Sequence, residues 1–472
     1  MAAVDKHAPG SPAPGDPGGR GPDPRPSRWA AVRFPVGAFL GVAVVLYLVS
    51  WISITWLERH PRYPVGPEPF WGSSFLEGWF RFDGGWYQLI ARDGYFYAGP
   101  DQQSAIAYFP AYPLAMRAVH LVVRDYPLAG ILVTFASGLG AAVLFYRWCV
   151  AKAGVTTART ALVVLLVYPY AWYLFGAVYA DALFLVAVLG AFTLVEKGHP
   201  VLAGVVGIVA TAARPVGLAL LVGLVAVVLE QRGAIRIPAV DRVRANGWRG
   251  RRDPVPIGAP GLSGGGPDAD PGTGRRVLGV VVDLRRLRPV DAGVLIALGG
   301  LGAWCAYLWA RWGDPFLFSV VQKAPGWDQG SGPRTWFKIT FLQRLRHLPF
   351  WLSDSLHGTT VHSPKPWTES AETLGLLLQA LLMVGALVLV PLVLRRFGWA
   401  YALYVLGVIM IPLFGSKDFQ GTGRYLLAAF PCFAVVGAAL VDRPKLRAGW
   451  LVVSGGLLLL LVSAYARGYY VA

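Results

Sequence analysis

Residues 36–56 read VGAFLGVAVVLYLVSWISITW, twenty-one positions without a charged side chain. A helix needs roughly 20 apolar residues to cross the hydrocarbon of a bilayer, and this run supplies them. It decides the class because it is one of many. Further apolar segments occupy 128–148, 159–178, 182–195, 200–213, 215–230, 290–310, 372–393, 398–415, 425–441 and 449–466. In lipid every backbone polar group must be satisfied internally, so these runs are predicted to be helices. The expected fold is all-α, a polytopic membrane protein with about eleven transmembrane helices and a large first outer loop. Between 182 and 230 only Pro200 and the pair Arg214-Pro215 punctuate the run, so two spans could replace three. An even count there would invert everything downstream.

Composition agrees with a bilayer as solvent. The 472 residues are 55% hydrophobic and 15% charged, with a mean hydropathy of +0.50, outside the range of soluble globular domains. Eighteen tryptophans and twenty tyrosines suit a chain with many membrane–water boundaries. The net charge of +17 argues less for nucleic acid than for topology, because the basic residues lie in tails and between apolar runs. No nucleic-acid partner is expected. The three cysteines, Cys149, Cys305 and Cys432, sit in or beside apolar segments without metal-ligand spacing, so neither a disulfide framework nor a zinc site is expected. The first apolar run follows a polar stretch and is long enough to stay in the membrane, which predicts a signal anchor rather than a cleaved leader.

The organisation expected is a disordered cytoplasmic tail over 1–33, an N-terminal membrane module over 34–230, a basic, disordered cytoplasmic linker over 231–289, and a C-terminal membrane module over 290–472. The tail is rich in Pro, Gly and Ala with scattered charges, and the linker holds many arginines and a run of Gly, Pro, Ser and Asp from Gly258 to Gly274, compositions that bury too little apolar surface to offset their ordering entropy. Short loops rich in Lys and Arg stay cytoplasmic. With eleven spans and a cytoplasmic start, nearly all inside loops are basic, and the outside segments include 57–127, the corners at Asp181 and Arg214, the loop 311–371, and 416–424.

Those outer segments carry the chemistry. The first loop holds Arg81-Phe82-Asp83-Gly84-Gly85-Trp86-Tyr87, then Gly94-Tyr95, then Tyr108-Phe109-Pro110-Ala111-Tyr112-Pro113. An acid among aromatics and glycines at the membrane surface is placed to be partly desolvated and to meet an amphipathic substrate. The bland alternative is an aromatic belt with Asp83 paired to Arg81. Asp181 and Arg214 interrupt apolar sequence, where ionisable groups are costly and usually functional, although each could simply mark a helix end. Arg424 opens a late apolar run after Lys417, Asp418, Gly421 and Gly423. Cations at such a boundary suit a phosphate, and snorkelling to lipid headgroups explains them equally simply. Arg311 to Phe316, containing Gly313-Asp314-Pro315, follows a span directly, with Trp327 soon after.

At these residues the chain resembles the PIG-V-type mannosyltransferases, within the multi-spanning, lipid-donor glycosyltransferases of the GT-C class. Phe82 to Tyr87 is similar to that family's aromatic-Asp-Ser/Gly-x-aromatic motif, Tyr108 to Pro113 to its Phe-Phe-Pro-Leu-Tyr-Pro segment, and Ala213-Arg214-Pro215-Val216-Gly217 to its Arg-Pro/Ser-x-Gly turn. Gly313-Asp314-Pro315 and Arg424-Tyr425 also fit. The family usually has Glu where this chain has Asp181, and neither tail nor linker has a counterpart.

The resemblance implies a GT-C-like fold and transfer of mannose from a polyprenyl-phosphate-mannose donor to a hydroxyl of a lipid-linked or glycolipid acceptor on the non-cytoplasmic face. Such a transfer needs a base, cations for the leaving phosphate and an apolar groove. The assignments that follow are Asp83 as base; Arg214, Arg424 and Lys417 as donor phosphate ligands; and Trp86, Tyr87, Tyr108, Tyr112 and Asp181 as acceptor- or sugar-binding residues. No cofactor and no metal ligand set is assigned, though a single divalent metal ion held by Asp83 with another loop acid stays open. The expected partners are the polyprenyl-phosphate-sugar donor, the lipid acceptor and membrane lipids. The high Ala, Gly and Arg content points to a bacterial plasma membrane, with the N-terminus cytoplasmic and the site on the outer face. The alternative is a multi-spanning transporter or lipid flippase, which predicts inverted repeats and charges buried mid-span. A non-catalytic scaffold predicts no acid-aromatic motif.

Overall fold

The computed structural model describes residues 30–62, 75–238, 240, 275–277, 279–327, 329 and 332–471. The fold is all-α apart from one small sheet near the middle of the chain. Among the described residues five helices are long and apolar enough to cross a membrane: Val32–Trp56 within Ala30–Trp56, Tyr126–Leu166, Pro289–Trp312, Pro366–Phe397 and Pro444–Ala466. Their outward faces carry apolar side chains such as Val44, Val388, Val452 and Leu460, all exposed. A soluble protein does not bare contiguous apolar faces of this kind. The chain is an integral membrane protein.

By length and composition the described residues supply five spans of the eleven expected, or six if the helical turns Thr422–Ala428 and helix Phe430–Leu440, bent by 81°, are taken as one. The segments expected at 182–195, 200–213, 215–230 and 398–415 are helical, as Asp181–Glu196, Pro200–Ala213, Gly217–Gln231 and Trp399–Gly415. At 1.5 Å per residue, helices of this size reach only about 21–26 Å, short of a full hydrocarbon core of about 30 Å. The segment expected at 159–178 stops as a helix at Leu166, and the chain then turns through Ala171–Leu174. Pro169 follows that end, where a continuing helix would lose a hydrogen bond.

Helix Tyr126–Leu166 breaks at Gly154, whose φ of 80° is left-handed. It packs against the helices Ala30–Trp56, Ala111–Val123, Asp181–Glu196 and Phe430–Leu440 and so forms the spine of the molecule. Gly138 is required on that spine: a Cβ there would lie 1.8 Å from the carbonyl oxygen of Leu174. The close approach seats the 167–180 turn on the helix.

Loop 57–127 is more ordered than a loop reading implied. It contains helices Asp83–Asp93 and Ala111–Val123 and the turns Glu77–Trp79 and Ala105–Ala107. The expected linker 231–289 is also not wholly irregular. Ile235–Arg236 and Arg275–Val277 flank Val280–Val282 in an antiparallel sheet, where the β-branched run of three valines suits a strand. The glycine- and proline-rich centre of that linker and most of the expected tail, residues 1–29, lie outside the described residues, whereas Ala30 already opens the first helix.

Candidate functional site

The geometry begins at Phe82, whose φ of 49° and ψ of −113° lie where a side chain is disfavoured. Its ring is packed edge-on against Tyr470 at 4.9 Å. A backbone held in this region stores on the order of 1–3 kcal/mol and persists only where its surroundings over-determine it. The turn delivers Asp83 to the first position of helix Asp83–Asp93, where an N-terminal dipole favours a carboxylate.

Three groups hold Asp83. Its amide donates to the Tyr179 hydroxyl at 3.2 Å, Oδ1 accepts from the Tyr108 hydroxyl at 3.2 Å, and Oδ2 accepts from Arg424 Nη1 at 3.2 Å. The Asp83 side chain keeps 21% exposure, so the carboxylate is held yet reachable. Burial, and after it the Asp83 charge, push the Tyr108 phenol well above its ordinary pKa, so it stays a donor. Arg81 is not the partner of Asp83. It is buried, with Nε on the Ala466 carbonyl at 2.8 Å, Nη1 on the carbonyls of Glu77 and Phe80, and Nη2 on Glu77.

Arg424 sits on the turn Thr422–Tyr425. Gly423 lets that turn lie flat on Tyr170, since a Cβ there would come within 2.5 Å of the ring. The Gly423 amide donates to Gln379 at 3.1 Å and its carbonyl accepts from Tyr168 at 3.0 Å, which fixes the turn. The Arg424 guanidinium lies 4.8 Å from the Tyr179 ring and 5.4 Å from the Tyr425 ring, and its Nε is buried without a hydrogen-bond partner among the described residues.

Arg214 caps helix Pro200–Ala213 in extended conformation ahead of Pro215, which cannot continue the helix. Its Nη1 pairs with Asp181 Oδ1, and its guanidinium lies 4.3 Å from the same Tyr425 ring that Arg424 uses. Asp181, in the first turn of its helix, is 3% exposed, and its Oδ2 has no hydrogen-bond partner among the described residues. Asp181, Arg214, Arg424 and Tyr425 line one cavity of about 10 Å³, the size of a single water site. Asp83 does not line that cavity, and its carboxylate is reachable on a neighbouring face.

On that face stand half-buried rings. Trp86 stacks on Tyr108 with centroids 5.7 Å apart, and Trp327 meets both, at 5.7 and 5.9 Å. Tyr87 is buried behind them, 5.2 Å from Tyr108. Tyr112 departs from the expected sugar-binding set. It is fully buried, and its hydroxyl is engaged by the Gly130 carbonyl at 2.8 Å and Thr134 at 2.7 Å, so it presents nothing to a ligand. Lys417 is not among the residues lining the cavity; it stands on the loop before Arg424, its amide donating to Gln329. Asp314 accepts from the Phe316 amide at 2.8 Å, a local turn bond.

The structure thus brings together Asp83, Trp86, Tyr87, Tyr108, Asp181, Arg214 and Arg424. The sequence reading quoted Tyr425 and Trp327 but assigned no role to them or to Tyr179. Among the described residues no group of three or more His, Cys, Asp or Glu could hold a metal ion. The residues around Asp83 also fit one poorly, because a guanidinium already stands at the carboxylate where a divalent ion would bind.

No family model matches the chain, and no curated protein matches it. Solved structures of the oligosaccharyltransferase of Archaeoglobus fulgidus are similar at low identity. The apo form aligns with 12% identity and a TM-score of 0.43 over 94% of this chain and 57% of the other. The complex with an inhibitory peptide and a dolichol-phosphate aligns with 12% identity and a TM-score of 0.38 over 91% and 56%. The chain spans little more than half the length of these structures. Scores below 0.5 fix no common fold, and the chemistry of the site is read from its own geometry.

Proposed function

We propose that the protein is a membrane glycosyltransferase that moves mannose from polyprenyl-phosphate-mannose to a hydroxyl of a lipid-linked or glycolipid acceptor on the non-cytoplasmic face. The observation that carries the reading is a reachable carboxylate, Asp83, held between a phenol and an arginine at 3.2 Å each. The motifs around Asp83, Tyr108, Arg214 and Arg424 resemble those of the PIG-V-type mannosyltransferases, which supports the choice of sugar and donor.

In the proposed step the acceptor oxygen attacks C1 of the sugar, and the C1–O bond to phosphate breaks with its electron pair leaving on the polyprenyl phosphate. The acceptor proton passes to Asp83. Protonation removes the charge that holds Arg424, so the guanidinium is released toward the phosphate as that group gains charge. Proton uptake by the base and stabilisation of the leaving phosphate are thereby coupled through one ion pair. Arg214, fixed by Asp181 and the shared Tyr425 ring, supplies a second positioned cation, which stabilises charge better than reorganising water. Trp86, Tyr108 and Trp327 offer ring faces to the sugar or the isoprenoid tail.

The test is incubation of membranes containing the protein with radiolabelled polyprenyl-phosphate-mannose, followed by separation of the lipids. Label moving to a new lipid that depends on Asp83 supports the reading. No transfer to any lipid, with donor taken up unchanged across the bilayer, would replace it by transport.

A further inference from the structure

Helix Ile339–His357 stands apart from the cluster around Asp83 and has no role in the proposed transfer. Phe341 packs with Leu376 and Ala380 of helix Pro366–Phe397 and buries one side. Leu342, Phe350 and Leu356 are exposed, as are Trp336 and Phe337 just before the helix. Its sequence alternates such residues with bases, the pattern of a helix lying in the headgroup plane. Thr340, Gln343, Arg344, Arg346, His347 and Trp351 line an open cavity of about 410 Å³. Positions 340, 343, 344, 347 and 351 recur at helical spacing and form one face.

The lining is rich in donors. Arg344 gives Nη2 to Glu369 and Glu372 of the neighbouring helix, at 3.0 and 2.8 Å, but its Nε is buried without a hydrogen-bond partner. Its guanidinium lies 5.8 Å from the Trp351 ring, on which His347 stacks at 5.7 Å. Arg346 is exposed and has no ion pair among the described residues. The two glutamates that approach Arg344 do not line the cavity. We propose that this cavity binds the phosphodiester headgroup of an anionic membrane phospholipid. Arginine makes charge-assisted, bidentate contacts to phosphate oxygens, and the same helix exposes Leu342, Phe350 and Leu356 outside the cavity lining, apolar surface that acyl chains cover. A soluble phosphate satisfies the donors and leaves that surface bare.

The experiment uses the full chain reconstituted in nanodiscs of phosphatidylcholine with and without phosphatidylglycerol, then released for native mass spectrometry. The expected result is retention of phosphatidylglycerol over phosphatidylcholine, reduced roughly fivefold in Arg346→Gln and further in Arg346→Glu. Arg395→Gln, at the far end of helix Pro366–Phe397, should leave retention unchanged. Thermal melting of each variant checks that the fold persists. Equal retention in the wild type and Arg346→Glu overturns the site, as does an equal loss in Arg395→Gln. Displacement of the lipid by inorganic phosphate alone overturns the lipid as occupant.

Discussion

Arg81 donates through Nε to the carbonyl oxygen of Ala466 at 2.8 Å, 385 residues along the chain. This contact engages the arginine two residues before Asp83, and the carboxylate pairs instead with Arg424. Replacing Asp83 by Asn keeps one oxygen to accept from Tyr108 but removes the basicity and the charge facing Arg424. Transfer should fall by about 10²–10⁴-fold, and melting should drop as well because Arg424 loses its ion pair. Label transfer by membranes of the variant measures it, and a normal rate would sink the assignment of the base.

The pair Asp181–Arg214 separates stability from function. Arg214→Gln leaves a buried carboxylate without its cation, and breaking a buried pair in this way costs about 3–5 kcal/mol. Adding Asp181→Asn should restore melting by removing the stranded charge. Donor use should stay low in the double variant, because the positioned cation is still missing. If activity returned together with stability, Arg214 would be structural only.

Gly423→Ala tests the seat of Arg424. The added methyl meets the Tyr170 ring at 2.5 Å, an overpacking that costs about 1–3 kcal/mol. The turn must lift and draw Arg424 from Asp83. A rise in KM for donor beyond that of Gly415→Ala, where a Cβ meets nothing within 4 Å, is the expected readout.

Lys338 lies outside the spans and gives a pH dependence whose sign is fixed. Its ammonium is buried on the carbonyls of Leu413 and Ser416, and burial pulls its pKa down to about 8, with Asp418 opposing. Between that value and the ordinary lysine range of about 10.4, the folded chain binds fewer protons than the unfolded one. Stability therefore rises as pH climbs through this window. Melting of wild type minus Lys338→Met should increase from pH 8 to pH 10, and a flat difference would count against the burial.

Much of this was legible in sequence, and the gaps have physical causes. The run 36–56 and the one at 372–393 announced membrane helices because length and hydropathy are local properties. The segments at 200–213 and 398–415 were equally apolar, but whether a short helix crosses the bilayer depends on neighbours that hydropathy does not name. Asp83, Asp181, Arg214 and Arg424 stood out because charge among apolar residues is costly. Tyr112 misled, since a tyrosine beside the site can face either the ligand or the core. Trp327 and Tyr179 gained meaning only when distant segments met.

The floor beneath Asp83 is completed from helix Pro444–Ala466 and, through Phe82, by Tyr470. A ribosome delivers the acid long before it delivers that floor. During most of synthesis the newborn chain thus carries its motifs without its chemistry, and on the proposed reading it wakes only when this late helix has threaded into the bilayer. A chain halted earlier would insert, look half-built to any antibody against its first spans, and stay inert.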